Sequence, residues 1–228
     1  LDFRFDEAVK AAVAYDGPTD GLRSLFVDDD WFTDDDSNAS GLVKFAGNHD
    51  RGRIGREIDL GSPGASDAER VARATLVQVL NFTTRGVPIV YYGDEQGFTG
   101  DGGDKDARQD MFPSQVASYN DDDLIGTSAT PADDNFDATH PLYQAISDLA
   151  ALRDAHPALR TGAQVHRASG TGPGIFAFSR IDRTEKVEYV VGVNTAETEA
   201  TATFATDSPA TDFVAVYGGG APLATDAD

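Results

Sequence analysis

Ser66-Asp67-Ala68-Glu69 is a capping box. The serine hydroxyl is placed to accept from the Glu69 backbone N–H while the glutamate reaches back. Behind it Ala72, Leu76, Val79 and Leu80 recur at helical spacing, so 67–83 reads as one helix. Gly86 breaks that helix, and Val87-Pro88-Ile89-Val90-Tyr91-Tyr92 follows at once as an unbroken apolar run closed by Gly93. A run without alternation marks a strand buried on both faces, and Pro88 is tolerable near its start. Leu42-Val43-Lys44-Phe45-Ala46 is a second short strand, upstream of the same helix. Strands alternating with helices make a parallel α/β layer.

The rest of the chain fits that frame until about residue 160. Residues 6–15 suit a helix by propensity. His140-Pro141 opens another helix with proline in its first turn, Leu142, Ala145, Ile146, Leu149 and Leu152 form its apolar stripe, and His156-Pro157 stops it. Beyond 160 the texture changes. Val165-His166, Ile175 to Phe178, Val187 to Val193, Ala202-Thr203-Phe204 and Phe213 to Tyr217 are short β-type runs separated by Gly, Pro, Asn and Thr. We therefore expect an α/β unit over 1–160, about half of a (β/α)8 barrel, since a whole one takes roughly 250 residues. A small antiparallel β-domain over 161–228 follows it. Half a barrel leaves open sheet edges, so the chain made alone is expected to be poorly soluble or oligomeric.

Charge narrows the function classes. Eighteen Lys and Arg stand against 39 Asp and Glu, a net charge of −21. Such a surface repels phosphate backbones and anionic headgroups, which argues against nucleic-acid and membrane-surface partners. No apolar run approaches the roughly 18 residues of a membrane-spanning helix. The absence of cysteine removes disulfides, thiolate nucleophiles and Cys-ligated zinc together. The four histidines, His49, His140, His156 and His166, are not spaced as a helical metal pair. The acids clustered at 28–30 and 34–36 read as a solvated loop rather than a calcium site. The chain opens on Leu1-Asp2-Phe3 without methionine or a signal peptide, which suggests a mature product or a piece of a longer chain.

The candidate site lies where the first strand ends. Phe45-Ala46 runs straight into Gly47-Asn48-His49-Asp50, with Arg53 three residues on. The carboxyl edge of a parallel sheet is where α/β folds bind ligands. The polar connection 93–139, rich in Gly and Asp, is long enough to be functional.

These residues resemble the α-amylase family of glycoside hydrolases. Phe45 to Asp50 with Arg53 resembles that family's strand-seven motif, and Gly86 to Glu95 its strand-eight motif. Leu142 to Leu159 resembles its last barrel helix, and Leu1-Asp2-Phe3 the end of strand six. The resemblance implies strands six to eight of the barrel, followed by the family's C-terminal β-domain. It also implies a retaining hydrolase of α-1,4-linked glucans such as starch, secreted and monomeric at full length. That chemistry needs a carboxylate nucleophile and a carboxylic acid/base about 5–5.5 Å apart, and in the family both sit on strands four and five, upstream of Leu1. By resemblance Asp50 is the third acid, stabilising the oxocarbenium-like transition state, and His49 donates to the same sugar. Asn48 and Arg53 join the substrate-binding set, with Arg53 orienting the Asp50 carboxylate. Asp104 and Arg108 match an Asp and Arg used one sugar further out, and 111–137 reads as a subfamily insertion on the cleft rim. Calcium is implied for the full-length protein, with ligands outside this chain, and this chain alone is expected to be inactive.

Several side chains also carry plainer readings. Asp94 and Glu95 lie past a buried strand, where their position suits catalytic acids, but the resemblance implies that they are structural, bonding to backbone or neighbouring loops. Asp104 and Arg108 also fit a surface ion pair. Tyr91 and Tyr92 fit the barrel wall, and Trp31 fits either a sugar platform or a loop anchor. His140, His156 and His166 are expected at a helix start, a helix end and a strand face. The rival functions are a non-catalytic carbohydrate-binding relative, and relatives that act on α-1,6 links or transfer glucosyl units.

Overall fold

The computed structural model describes residues 1–100, 104–219 and 222–226. Gly103, at the head of the expected Asp104–Arg108 stretch, and the last two residues lie outside the described residues. Helix α1 spans Phe3–Val9 and is capped by Asp2, whose carboxylate accepts from the Phe5 N–H at 3.0 Å. It widens into a π-helical turn over Lys10–Ala14. Helix α2 (Asp20–Val27), strand β1 (Val43–Lys44) and helices α3 (Ile54–Gly61) and α4 (Asp67–Thr83) come next along the chain. The α4 boundaries are those its cap predicts, with Ser66 Oγ accepting from the Glu69 N–H at 3.3 Å. Strand β2 is Val87–Pro88, α5 is Ala117–Asn120, α6 is Pro141–Ala155 and α7 is Pro157–Thr161.

β1 and β2 pair in parallel, Val43 opposite Val87, and a parallel bridge joins Asp2 to Lys44 on the other side of β1. Asp2, β1 and β2 are therefore three adjacent parallel segments of one arc, fastened by Asp2 N–H to Val43 O (2.7 Å) and Val87 N–H to Leu42 O (2.8 Å). The expectation that Val87–Tyr92 is buried on both faces fails. Val87 and Ile89 remain 47% and 44% exposed. Alternate residues of a strand share a face, and on that face none of the described residues covers them.

The C-terminal end of α4 joins the arc to the C-terminal sheet. Its last carbonyls would be orphaned in a buried setting, and three cations meet them. Lys44 Nζ donates to Asn81 O and to Thr84 O at 3.1 Å, Arg153 of α6 to Phe82 O at 2.8 Å and Gly86 O at 2.7 Å, and Arg180 to Thr83 O at 2.8 Å. Positive charge at a helix C-terminus also complements the helix dipole. Burial is costly for these cations: it holds the Lys44 ammonium well below its ordinary range and pushes Arg180 down to about 9.

Arg180 lies on that sheet, which is antiparallel and made of β3 (Ala163–Ala168), β4 (Ile175–Ile181) and β5 (Glu188–Asn194), in that order. Phe176, Phe178 and Val193 of this sheet belong to the same hydrophobic cluster as Phe5, Leu22, Ile58 and Leu80. The later β-runs are only partly formed. Ala202-Thr203-Phe204 is in no strand, and Phe213 to Tyr217 contributes only β6 (Asp212–Phe213), paired with β7 (Leu223–Ala224). Val214 and Val216 are exposed, so these runs lack the packed face that stabilises a sheet.

Candidate active site

The end of β1 turns sharply at Asn48. The Asn48 N–H donates to Gly52 O at 3.1 Å, and its side-chain oxygen accepts from the Asp50 and Arg51 N–H groups, both at 2.8 Å. Asparagine suits this place because its carboxamide mimics a backbone turn. The oxygen of Asn48 is thus spent on shaping the loop. The turn thrusts His49 and Asp50 outward, with side chains 54% and 62% exposed and His49 Nε2 3.4 Å from Asp50 Oδ1.

The connection after β2 returns to the same place. Arg108 Nη2 lies 3.2 Å from Asp104 Oδ2 and 3.8 Å from Asp50 Oδ1, and donates to His49 O at 3.5 Å. Four residues singled out in the sequence, His49, Asp50, Asp104 and Arg108, therefore form one exposed cluster at the carboxyl edge of the parallel segments.

Arg53 differs from expectation. It is fully buried, and its guanidinium donates to Gln109 Oε1 (2.8 Å), Tyr92 O (2.8 Å) and Asp94 Oδ1 (3.2 Å). It lies against the rings of Tyr91, Tyr92 and Phe98, with its carbon 4.7–5.3 Å from their centroids. Arg53 therefore neither orients the Asp50 carboxylate nor faces solvent where a substrate would lie. It ties the segment after Asp50 to the segment that follows β2. Gly93 lets it do so: its φ is +90°, and a Cβ there would meet the Phe98 ring at 2.9 Å.

Asp94 and Glu95 hold the local structure, in line with what the resemblance implies. Asp94 is Arg53's buried partner, and Glu95 accepts from the Gly93 N–H at 2.9 Å. Burial pushes the Asp94 carboxyl up to about 7 although Arg53 pulls it down. Burial likewise pushes the Tyr91 hydroxyl up to about 12.

Sequence reasoning missed the supports on the other side. Arg51 Nε donates to the buried Asp6 at 3.2 Å, and Arg51 Nη2 to Glu7 at 3.0 Å. Lys10 lies 2.8 Å from Asp6 and donates to Arg51 O at 3.5 Å. The four-residue spacing of Asp6 and Lys10 was legible as a helical ion pair, but their long-range partner was not. A groove of about 480 Å³ runs from Asp50 between α1 and α3, lined also by Glu7, Tyr15 and Glu57. Among the described residues no group of three or more His, Asp or Glu side chains is arranged to hold a metal ion. In the acidic loop Asp28 pairs with Arg4, Asp29 with Arg85, and Asp34 accepts from Ser37. These residues do not fit a calcium site.

Known proteins supply the context. A family model described as the α-amylase catalytic domain matches residues 20–162. An α-amylase of Streptomyces lividans is 48% identical over the whole of this chain, which spans 25% of that relative. A β/α-amylase of Paenibacillus polymyxa is 30% identical over 89% of this chain and 14% of its own length. The chain thus spans a quarter or less of these curated relatives. Among solved structures, an Anoxybacillus α-amylase superposes with a TM-score of 0.73 at 21% identity, covering 99% of this chain and 42% of that one. An α-amylase from Geobacillus thermoleovorans, complexed with acarbose, gives 0.63 at 22%, covering 86% and 36%. Those likenesses carry the fold, part of a (β/α)8 barrel. With the family match over 20–162, the parallel arc bearing Asn48, His49 and Asp50 at its carboxyl edge places this chain in the α-amylase family of glycoside hydrolases.

Proposed function

We propose that this chain is the C-terminal part of a retaining α-glucan hydrolase acting on α-1,4 links, and that Asp50 is its transition-state-stabilising carboxylate. In this reading the Asp2 segment, β1 and β2 are barrel strands six, seven and eight, residues 1–160 complete the barrel, and 161–228 form the C-terminal β-domain. The observation that carries the proposal is the exposed His49–Asp50 pair with Arg108 beside it, all at the carboxyl edge of parallel strands. A carboxylate there accepts hydrogen bonds from sugar hydroxyls, and these strengthen as the ring gains positive charge. His49 donates to the same sugar, and Asp104 with Arg108 meets the next one. A covering sugar removes water from these half-exposed groups and strengthens each interaction.

Nucleophile and acid/base belong to strands four and five of the longer enzyme, so this chain alone is inactive in our reading. We place the calcium of that enzyme outside these residues. We further infer a secreted protein, monomeric at full length, whose partner is an α-glucan rather than nucleic acid or membrane. The net charge of −21 supports a glucan over nucleic acid or an anionic membrane surface as partner, and among the described residues no helix is long and apolar enough to cross a membrane. Sequencing the coding DNA upstream of Leu1 tests the proposal. A strand-end Arg-x-Asp, followed some distance on by a strand-end Glu, is expected. Other residues in those places would leave Asp50 and His49 as a sugar-binding remnant.

A second reading is glucosyl transfer. A cyclomaltodextrin glucanotransferase of a Bacillus species is 32% identical over 169 residues, 73% of this chain and 18% of its own length. Product analysis separates the two: linear oligosaccharides with a new reducing end for hydrolysis, cyclic or lengthened glucans for transfer.

A further inference from the structure

We propose that Gln109 is a positioning residue that sets Arg108 against Asp50, acting through Arg53. The inference rests on the reading that Asp50 and Arg108 meet the sugar. Arg108 is about half exposed, and its partners among the described residues are exposed too, Asp104 and the rim of the Asp50 turn. Exposed ion pairs fix a long side chain weakly, because ordering it costs rotamer entropy. The position of Arg108 must therefore come from its backbone, and the next residue supplies the anchor.

Gln109 is fully buried. Its Oε1 accepts from Arg53 Nε at 2.8 Å, and its Nε2 donates to the buried Asp122. Arg53 is itself fixed by Tyr92 O and Asp94 and lies three residues beyond Asp50. One side chain thus bolts the Arg108 loop to the segment carrying Asp50. The chemistry demands a carboxamide. Arg53 offers only donors and Asp122 only acceptors, so the bridge must accept at one end and donate at the other. Glutamate would set a second carboxylate against Asp122, and methionine would satisfy neither partner.

The test uses the intact enzyme and maltooligosaccharides, with Gln109→Met, Arg108→Ala and both together. Q109M is expected to lower kcat/KM about tenfold, mainly through KM, with R108A similar and the double variant no worse than R108A. A merely structural role would make the two losses multiply; multiplication, or a Q109M loss under twofold, overturns the proposal. If Q109M does not fold, Gln109→Glu serves. Its loss is expected to be recovered in Q109E/D122N, where the amide has moved to the partner, and no recovery overturns the proposal. Asp50→Asn separates the two claims. Full activity in D50N removes the reading and this inference with it, whereas an inactive D50N with multiplying losses removes the inference alone.

Discussion

Replacing Arg53 by methionine would show how the buried arginine supports the site. Methionine keeps the length and the ring contacts but leaves Tyr92 O and Gln109 Oε1 without their donor. With Asp94 neutral the deficit is therefore about 2 kcal/mol, the cost of buried acceptors left unmade less the relief of not burying a cation. The pH dependence follows from Asp94. Its carboxyl is at about 7 in the folded protein, raised by burial and pulled down by Arg53. Between about pH 4 and 7 the folded state holds a proton that the unfolded state has lost, so both proteins lose stability together as pH rises. Above 7 the wild type releases that proton to solvent and leaves a carboxylate paired with Arg53, whereas R53M, without the arginine, retains it. The variant's deficit then grows by up to about 1.4 kcal/mol per pH unit. By pH 9 it is about 4 kcal/mol, in the range for breaking a buried ion pair. Urea unfolding of the intact protein at pH 6 and pH 9 measures both deficits, and R53M/D94N is expected to show no growth between them. Equal R53M deficits at the two pH values would refute the reasoning.

Asn48→Ala removes the acceptor for two N–H groups of the Asp50 turn. It is expected to cost about 1 kcal/mol in chemical denaturation and to lower kcat/KM on soluble starch, because Asp50 loses its fixed presentation. Phe178→Ala deletes a fully buried ring in the cluster that joins the sheet to the helices. A loss of about 3–5 kcal/mol is expected, with the helices and the sheet melting in one transition by calorimetry. Two separate transitions would show that they do not share a core.

Much of this was legible because local signals dominate it. The Ser66 cap, Gly86 and the Pro residues at 141 and 157 set helix ends by backbone chemistry that tertiary contacts do not override. The Asn48–Asp50 motif marks the candidate site, and Asp104 and Arg108 are a pair that the fold brings to Asp50. Arg53 departs from the role the resemblance implies because neither a family motif nor nearness in sequence to Asp50 fixes which way a long side chain turns. Its partners Tyr92, Asp94 and Gln109 lie about forty to sixty residues away. The same holds for Asp6 with Arg51 and for the three cations at the end of α4. The run at 87–92 is apolar throughout yet half exposed at Val87 and Ile89, because apolarity registers what a strand is built to meet and not which neighbours it finds here. The weak β-runs after 200 failed for the opposite reason: β-propensity without a packed face does not make a strand.

Asp50 is proposed to stabilise the transition state of α-glucan cleavage. Its most direct test is kcat on soluble starch for Asp50→Asn in the intact enzyme, with maltooligosaccharide binding measured alongside. The exchange removes a charge while keeping the shape of the side chain. A fall in kcat of at least about a hundredfold with binding little changed is the predicted result. A kcat within a factor of about two of wild type would contradict the account.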